Sequence, residues 1–162
     1  MNKKDIKLYN LIFPVYMLWL MPPAFFIVAI LNFIIDSIVV LITEKVLKLE
    51  NILSKYKKVI LKVWSFGFLA DFIGAFFLFF MSGLFENLSI PIKLGIDYNP
   101  FGNIYALIIT LVGILIAGVL IFIFNRKICF KKVDITEKQK FILSLVMAIA
   151  TAPYLFLLPV IW

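Results

Sequence analysis

The segment 24–43, AFFIVAILNFIIDSIVVLIT, restricts what this chain can fold into more than any other stretch. About 20 residues of helix extend about 30 Å, the thickness of the hydrocarbon core of a bilayer. The segment nevertheless contains Asn32 and Asp36, which are four residues apart and share one face of a helix. A carboxylate at the centre of a membrane costs about 2.5–3.5 kcal/mol on insertion scales. We therefore expect Asp36 to face protein or water rather than lipid.

Composition assigns the whole chain to the integral membrane class. Of its 162 residues, 64% are hydrophobic and 15% are charged, whereas soluble domains average about 45–50% and about 25%. The chain has no His, which removes the commonest general base and metal ligand. Its single Cys, Cys129, excludes an intramolecular disulfide and a Cys-cluster metal site.

Hydropathy predicts an all-α integral membrane protein, an antiparallel bundle of four transmembrane helices within a single domain, 1–162. The predicted spans are 24–43, 63–81, 104–124 and 141–161.

A further apolar segment, 8–21, is short, is interrupted by Pro14 and is followed by Pro22 and Pro23. It is either a fifth, short or re-entrant leg rising from a cytoplasmic N-terminus, or an interfacial segment on the outer face. No small-residue cleavage site follows it, so we expect it to remain in the mature protein.

Charge distribution predicts the orientation. The segments 44–62 and 126–140 each carry six basic and two acidic residues, whereas 82–103 carries only Glu86, Lys93 and Asp97. Because Lys and Arg mark cytoplasmic loops, we expect a multi-pass cell-membrane protein with loops 44–62 and 125–140 inside, and with loop 82–103 and the C-terminus outside. The basic residues should bind anionic lipid headgroups rather than nucleic acid. The candidate lipid-interface residues are Lys48, Lys55, Lys57, Lys58, Lys62, Arg126 and Lys127.

Three connecting features carry local structural predictions. Segment 44–62 has the period of a basic amphipathic helix, lying along the cytoplasmic interface or running straight into the next span. Segment 82–103 is rich in Gly and Pro and is predicted as an outer loop, either a cap over the bundle or a featureless connection. Thr136 and Gln139 form a capping box, and Pro153 and Pro159 should kink or fray the last span.

A second acid, Asp71, lies in the span 63–81 with Gly67, Gly74 and Ala75 at helical spacing on its own face. Small residues mark the faces on which membrane helices approach one another closely, so Asp71 should point into the bundle. The candidate helix-packing residues are Gly67, Gly74, Gly113, Ala117 and Ala148.

Asp36, Asp71 and Asn32 are the candidate ion or proton site. Two carboxylates close together in a low dielectric cannot both ionise cheaply, so such a pair suits binding of H⁺ or a hard cation. The alternative is that the three side chains form hydrogen bonds between helices that serve packing alone.

The sequence carries no catalytic motif: HExxH, GxSxG and a Gly-rich phosphate loop are all absent, so we expect no enzyme, metal or cofactor. It favours an accessory or scaffold subunit of a membrane assembly, forming a homo-oligomer or binding a membrane partner subunit. The alternative is a small cation- or proton-coupled transporter or channel that uses Asp36 and Asp71 with Asn32.

Overall fold

The computed structural model describes residue 16 and residues 22–160, and every regular element in this part of the chain is helical. The helices are α1 (Pro22–Val46), α2 (Ile52–Phe85), α3 (Ile90–Tyr98), α4 (Ile104–Phe124) and α5 (Glu137–Ala150). Four stretches are long and apolar enough to cross a membrane: Phe25–Val46, Ile52–Phe85, Ile104–Cys129 and Glu137–Leu157. The predicted all-helical chain with four such helices is confirmed. The predictions for 8–21 fall outside the described residues except at Tyr16.

Successive long helices run antiparallel, as aromatic contacts between them show. The ring centroids lie 5.5 Å apart for Phe25 and Phe68, 5.4 Å for Phe66 and Phe124, and 5.5 Å for Phe122 and Phe141. One end of the bundle, here called the basic end, therefore carries residues 47–51 and 125–136. The opposite end, here called the α3 end, carries α3 and the end of α5.

The turn between α1 and α2 ends the first helix in a defined way. The N–H of Leu49 donates to the carbonyl of Glu44 at 3.0 Å, and that of Lys48 to Lys45 at 3.1 Å. This is the Schellman pattern, in which the residue after the cap takes a left-handed conformation. Lys48 does so with φ of 52°, and Asn51, just before α2, has φ of 53°.

Two predicted boundaries at this turn need correction or refinement. α1 extends past residue 43, so Glu44 is a buried helix residue rather than part of the basic loop. Of the two alternatives for 44–62, the structure shows the second, because α2 begins at Ile52 and continues without a break to Phe85.

The prediction of an outer loop over 82–103 is wrong for most of that segment. α2 continues to Phe85, and α3 forms a second helix in which Pro91 occupies the first turn, where its missing N–H costs nothing. α3 packs against α2 and α4 and buries Ile96. Gly95 allows the approach, because a Cβ at this position would collide with the Cβ of Ala106 in α4.

A buried carboxylate fixes the α3 end. Asp97 in α3 is 4% exposed and accepts hydrogen bonds from the hydroxyls of Tyr16 and Ser82, each at 2.6 Å. The ammonium of Lys93, one turn earlier in α3, donates to the second Asp97 oxygen at 2.9 Å. Asp97 thus joins α3 to α2 and to the N-terminal segment.

The last span is helical over only part of its predicted length. The capping box of Thr136 and Gln139 is present and starts α5. The helix ends at Ala150, so the predicted fraying of the span at Pro153 is confirmed, and the described residues beyond it, 151–160, form no further α-helix. Pro153 has no N–H with which to continue the hydrogen-bonding pattern. The chain proceeds through an irregular segment, 151–153, into a short 3₁₀ helix, Tyr154–Leu157.

The close contact between α3 and α4 predicts different outcomes for two Gly→Ala substitutions. Gly95→Ala should lower the free energy of unfolding by about 1–2 kcal/mol, because overpacking exceeds the gain in helix propensity. Gly83→Ala is the control, since a Cβ at Gly83 would have no neighbour within 4 Å. The measurement is unfolding in mixed detergent micelles. Equal stability of the two variants would contradict the docking of α3.

The Asp97 cluster predicts a loss of stability at alkaline pH. The hydrogen bond and the charge of Asp97 raise the pKa of Lys93 above its ordinary 10.5. A cation whose pKa is raised on folding stabilises the fold below its unfolded pKa, and this stabilisation disappears as pH rises through the folded value. The unfolding midpoint should therefore fall above about pH 10.5. Lys93→Arg should reduce that fall, because arginine stays charged, whereas Lys131→Arg, at an exposed site, should not. A fall of equal size in all three proteins would contradict this role for Lys93.

Candidate functional site

A cavity of about 410 Å³ lies between α1, α2 and the end of α5. Asn32 and Asp36 line it from α1, Gly67 and Asp71 from α2, and the segment 150–156 completes the wall. The structure therefore brings all three predicted site residues, Asn32, Asp36 and Asp71, to one cavity. Its volume lies in the range of about 300–1,000 Å³ that small-molecule sites occupy.

Asp71 has one oxygen with a partner and one without. The amide Nδ2 of Asn32 donates to Oδ2 of Asp71 at 3.3 Å, across the antiparallel pair of α1 and α2. The other oxygen, Oδ1, is buried and has no hydrogen-bond partner among the described residues. A buried acceptor without a partner is unfavourable by about 1–3 kcal/mol. A hydrogen-bond donor or a cation that reached this oxygen would remove that cost.

Asp36 lies one helical turn away from Asp71, against the backbone of α2. Its side chain is 5% exposed, and a Cβ built on Gly67 would lie 3.5 Å from its Oδ2. Gly67 precedes Asp71 by four residues, so both carboxylates lie along the same face of α2. A Cβ at Gly67 would therefore make an ordinary van der Waals contact with the Asp36 carboxylate.

Electrostatics in the cavity favours positive charge. Of the described residues that line it, two are carboxylates and none is Lys or Arg. The C-terminal end of α5 at Ala150 also lines the wall. The last carbonyls of a helix lack intrahelical partners and carry the negative end of its dipole, which adds to the attraction for a cation.

The rest of the wall is apolar and partly aromatic. Phe68 and Phe72 contribute from α2, and Tyr154 and Phe156 from the 3₁₀ helix after α5. The hydroxyl of Tyr154 donates to the carbonyl of Ile149 at 2.7 Å. The cavity therefore combines one acidic side with a large apolar remainder.

The described residues contain no group of three or more His, Cys, Asp or Glu that could hold a metal ion. Among the described residues, five side chains that line the cavity carry oxygen atoms able to ligate a cation: Asp36, Asp71, Asn32, Thr151 and Tyr154. The Thr151 hydroxyl is already engaged in donating to the carbonyl of Met147 at 2.8 Å.

The predicted helix-packing residues lie inside the bundle. A Cβ built on Gly74 would lie 3.0 Å from the carbonyl oxygen of Gly113 and 3.1 Å from the Cβ of Ala117. One built on Gly113 would lie 3.0 Å from the side chain of Leu78. Ala148 in α5 is buried. Gly67 has a different neighbour, the Asp36 carboxylate, and lines the cavity.

The predicted lipid-interface residues all lie at or near the basic end. Lys55 is half-buried, and the others are exposed: Lys48, Lys57, Lys58, Lys62, Arg126 and Lys127. The guanidinium of Arg126 lies 5.4 Å from the ring centroid of Phe141, a cation–π contact.

Sequence reasoning missed two buried polar side chains towards the basic end. Glu44 and Asn125 are each 1% exposed, and each has one side-chain oxygen, Oε2 and Oδ1 respectively, with no hydrogen-bond partner among the described residues. Helical spacing contains the signal, since Asp36, Val40 and Glu44 fall four residues apart and all are buried. Asn125 follows the buried Ile121 by four residues in the same way.

Comparisons with protein-family models, with curated proteins and with solved structures return no match for this chain.

Proposed function

We propose that this protein is a small integral membrane protein that binds a cation or a proton in the cavity of Asp36 and Asp71 and transports it. The observation that carries the proposal is that both carboxylates line one cavity, while Oδ1 of Asp71 is buried without a hydrogen-bond partner among the described residues. Ionisable groups inside membrane spans mark ion or proton pathways by default. The broken end of α5 at the same cavity resembles the interrupted helices that line transport sites.

The outer surface of the bundle supports insertion into a membrane. Large apolar side chains on all four long helices point outward, with Phe26 65%, Phe80 61%, Leu115 65% and Ile149 60% exposed. Soluble monomers rarely expose contiguous apolar patches larger than a few hundred Å². Such a surface is suited to contact with the acyl chains of lipids.

The basic end supports a cytoplasmic orientation for the loops 44–62 and 125–140 in the cell membrane. α2 has 34 residues and so extends about 51 Å, which exceeds the hydrocarbon thickness of about 30 Å. Its first turns carry the exposed Lys57 and Lys58, which would then reach anionic headgroups. The α3 end would lie outside.

A role confined to helix packing explains fewer features of the site than cation binding does. Packing alone would be served by the hydrogen bond between Asn32 and Asp71, but it does not account for a cavity or for an unpartnered carboxylate oxygen. An accessory subunit would also need small residues free for a partner helix. Gly74 and Gly113 are instead buried between α2 and α4.

The proposal predicts that the two carboxylates control flux. In liposomes containing the purified protein and a pH-sensitive dye, Asp71→Asn and Asp36→Asn should each slow cation-driven proton movement by about tenfold or more, a change of about 1.4 kcal/mol in the barrier. Asp134→Asn, the same substitution at an exposed site near the basic end, should leave the rate unchanged.

Size-exclusion profiles and circular dichroism establish that each variant is folded before its flux is compared. Flux through both folded cavity variants at the wild-type rate would overturn the transport proposal and leave the packing interpretation.

The proposed orientation predicts opposite labelling at the two ends. In a Cys129→Ala background, Glu86→Cys near the α3 end should react with a membrane-impermeant maleimide in intact cells. Lys131→Cys at the basic end should react only after permeabilisation. Both residues are exposed in the structure, so burial does not limit either reaction. The reverse pattern would contradict the orientation.

A further inference from the structure

We infer that the cation taken by this cavity is a protonated organic amine with an apolar or aromatic group, rather than a bare inorganic ion. The inference rests on the proposed function and specifies its substrate class. It follows from the size of the cavity, the small number of oxygen atoms that could ligate a cation, and the composition of the cavity wall.

The cavity is too large for one bare ion. A water molecule takes up about 30 Å³ of liquid volume, whereas this cavity measures about 410 Å³. Carboxylates on one side would leave a small ion without ligands on the other. An amine with an attached ring fills such a space, and sites of this volume typically bind small organic molecules.

The oxygen atoms that line the cavity suit an ammonium group better than a metal ion. Hard cations such as Ca²⁺ take about six to eight oxygen ligands in protein sites, whereas two carboxylates and one amide supply most of the polar atoms here. An ammonium needs only acceptors for its N–H groups. The carboxylates of Asp36 and Asp71, which both line the cavity, are the acceptors that would receive them.

The apolar part of the lining provides a place for the remainder of the molecule. Phe68, Phe72, Leu155 and Leu158 present apolar side chains to the cavity, and Tyr154 adds a further ring. Aromatic faces also attract organic cations. A hydrated inorganic ion would have no favourable interaction with this surface.

Charge balance links the amine to a proton. The cavity contains two carboxylates and no basic side chain among its described lining residues. One ammonium neutralises one carboxylate, and a proton on the other completes the balance. An amine cation that enters a cavity in which both carboxyls are protonated would release one proton, which provides a route for exchange of amine against H⁺.

The decisive comparison uses two probes of nearly equal shape. At neutral pH, 2-phenylethylamine carries an ammonium where 2-phenylethanol carries a hydroxyl. Equilibrium binding to the purified wild-type protein in detergent should be about tenfold or more tighter for the amine, because a charged donor meets a buried carboxylate. Sodium ions at high concentration should not displace the amine.

Two variants separate charge from volume. Asp71→Asn should weaken amine binding about tenfold or more, while Asp134→Asn leaves it unchanged. Ala150→Trp, at an exposed position on the cavity wall, keeps both carboxylates but narrows the space. It should weaken binding of 2-phenylethylamine although both carboxylates remain.

Each outcome decides between the two proposals. Equal binding of amine and alcohol, or full displacement of the amine by sodium, would overturn the amine assignment; in the second case the cation site itself would stand. Sodium-dependent flux without any binding of amine would also overturn the amine assignment and leave the cation site standing. Failure of every cation to bind, together with wild-type flux in Asp36→Asn and Asp71→Asn, would overturn the proposed function as well.

Discussion

The burial of the Asp36 carboxylate beside Gly67 of α2 is the constraint on which the arrangement of this bundle depends. A carboxylate on an otherwise apolar helix must turn away from its apolar surroundings, and this requirement fixes which face of α1 meets α2. The same rotation brings Asn32 within hydrogen-bonding distance of Asp71 one turn further along. A single unfavourable group thus determines helix orientation, which in turn assembles the polar side of the cavity.

The early end of α5 completes that cavity. A helix of 14 residues extends about 21 Å, less than the hydrocarbon thickness of about 30 Å. The remaining distance is covered by the irregular segment 151–153 and the 3₁₀ helix Tyr154–Leu157, both of which line the cavity. Had α5 continued as a regular helix, its carbonyls would be paired within the helix. The break at Pro153 therefore shapes the wall of the cavity, and Thr151 and Tyr154 donate to the carbonyls of Met147 and Ile149 beside it.

The sequence was sufficient for the features that follow from periodicity and was insufficient for those that follow from packing. Hydropathy predicts the four long helices, and the grouping of Asn32 and Asp36 on one face follows from a spacing of four residues. The short helix α3 is not predicted because the Gly and Pro residues of segment 82–103 are typical of a loop, and its docking depends on the close approach of Gly95 to Ala106. The charge of segment 44–62 places Glu44 in a basic loop. Helical spacing places it in α1, because Val40 and Glu44 continue the buried face of Asp36.

Two buried aspartates in this chain show how a structural carboxylate differs from one suited to a ligand. Asp97 receives the hydroxyls of Tyr16 and Ser82 and the ammonium of Lys93, so its charge and both of its oxygens are satisfied by the protein itself. Asp71 receives one long hydrogen bond, and its second oxygen has no partner among the described residues. A folded chain can tolerate such an unpaired acceptor when a bound cation or proton supplies the missing partner. None of the described residues that line the cavity is Lys or Arg, so none of them supplies a positive charge to Asp71. This difference between the two aspartates is the physical basis for proposing a site at Asp71.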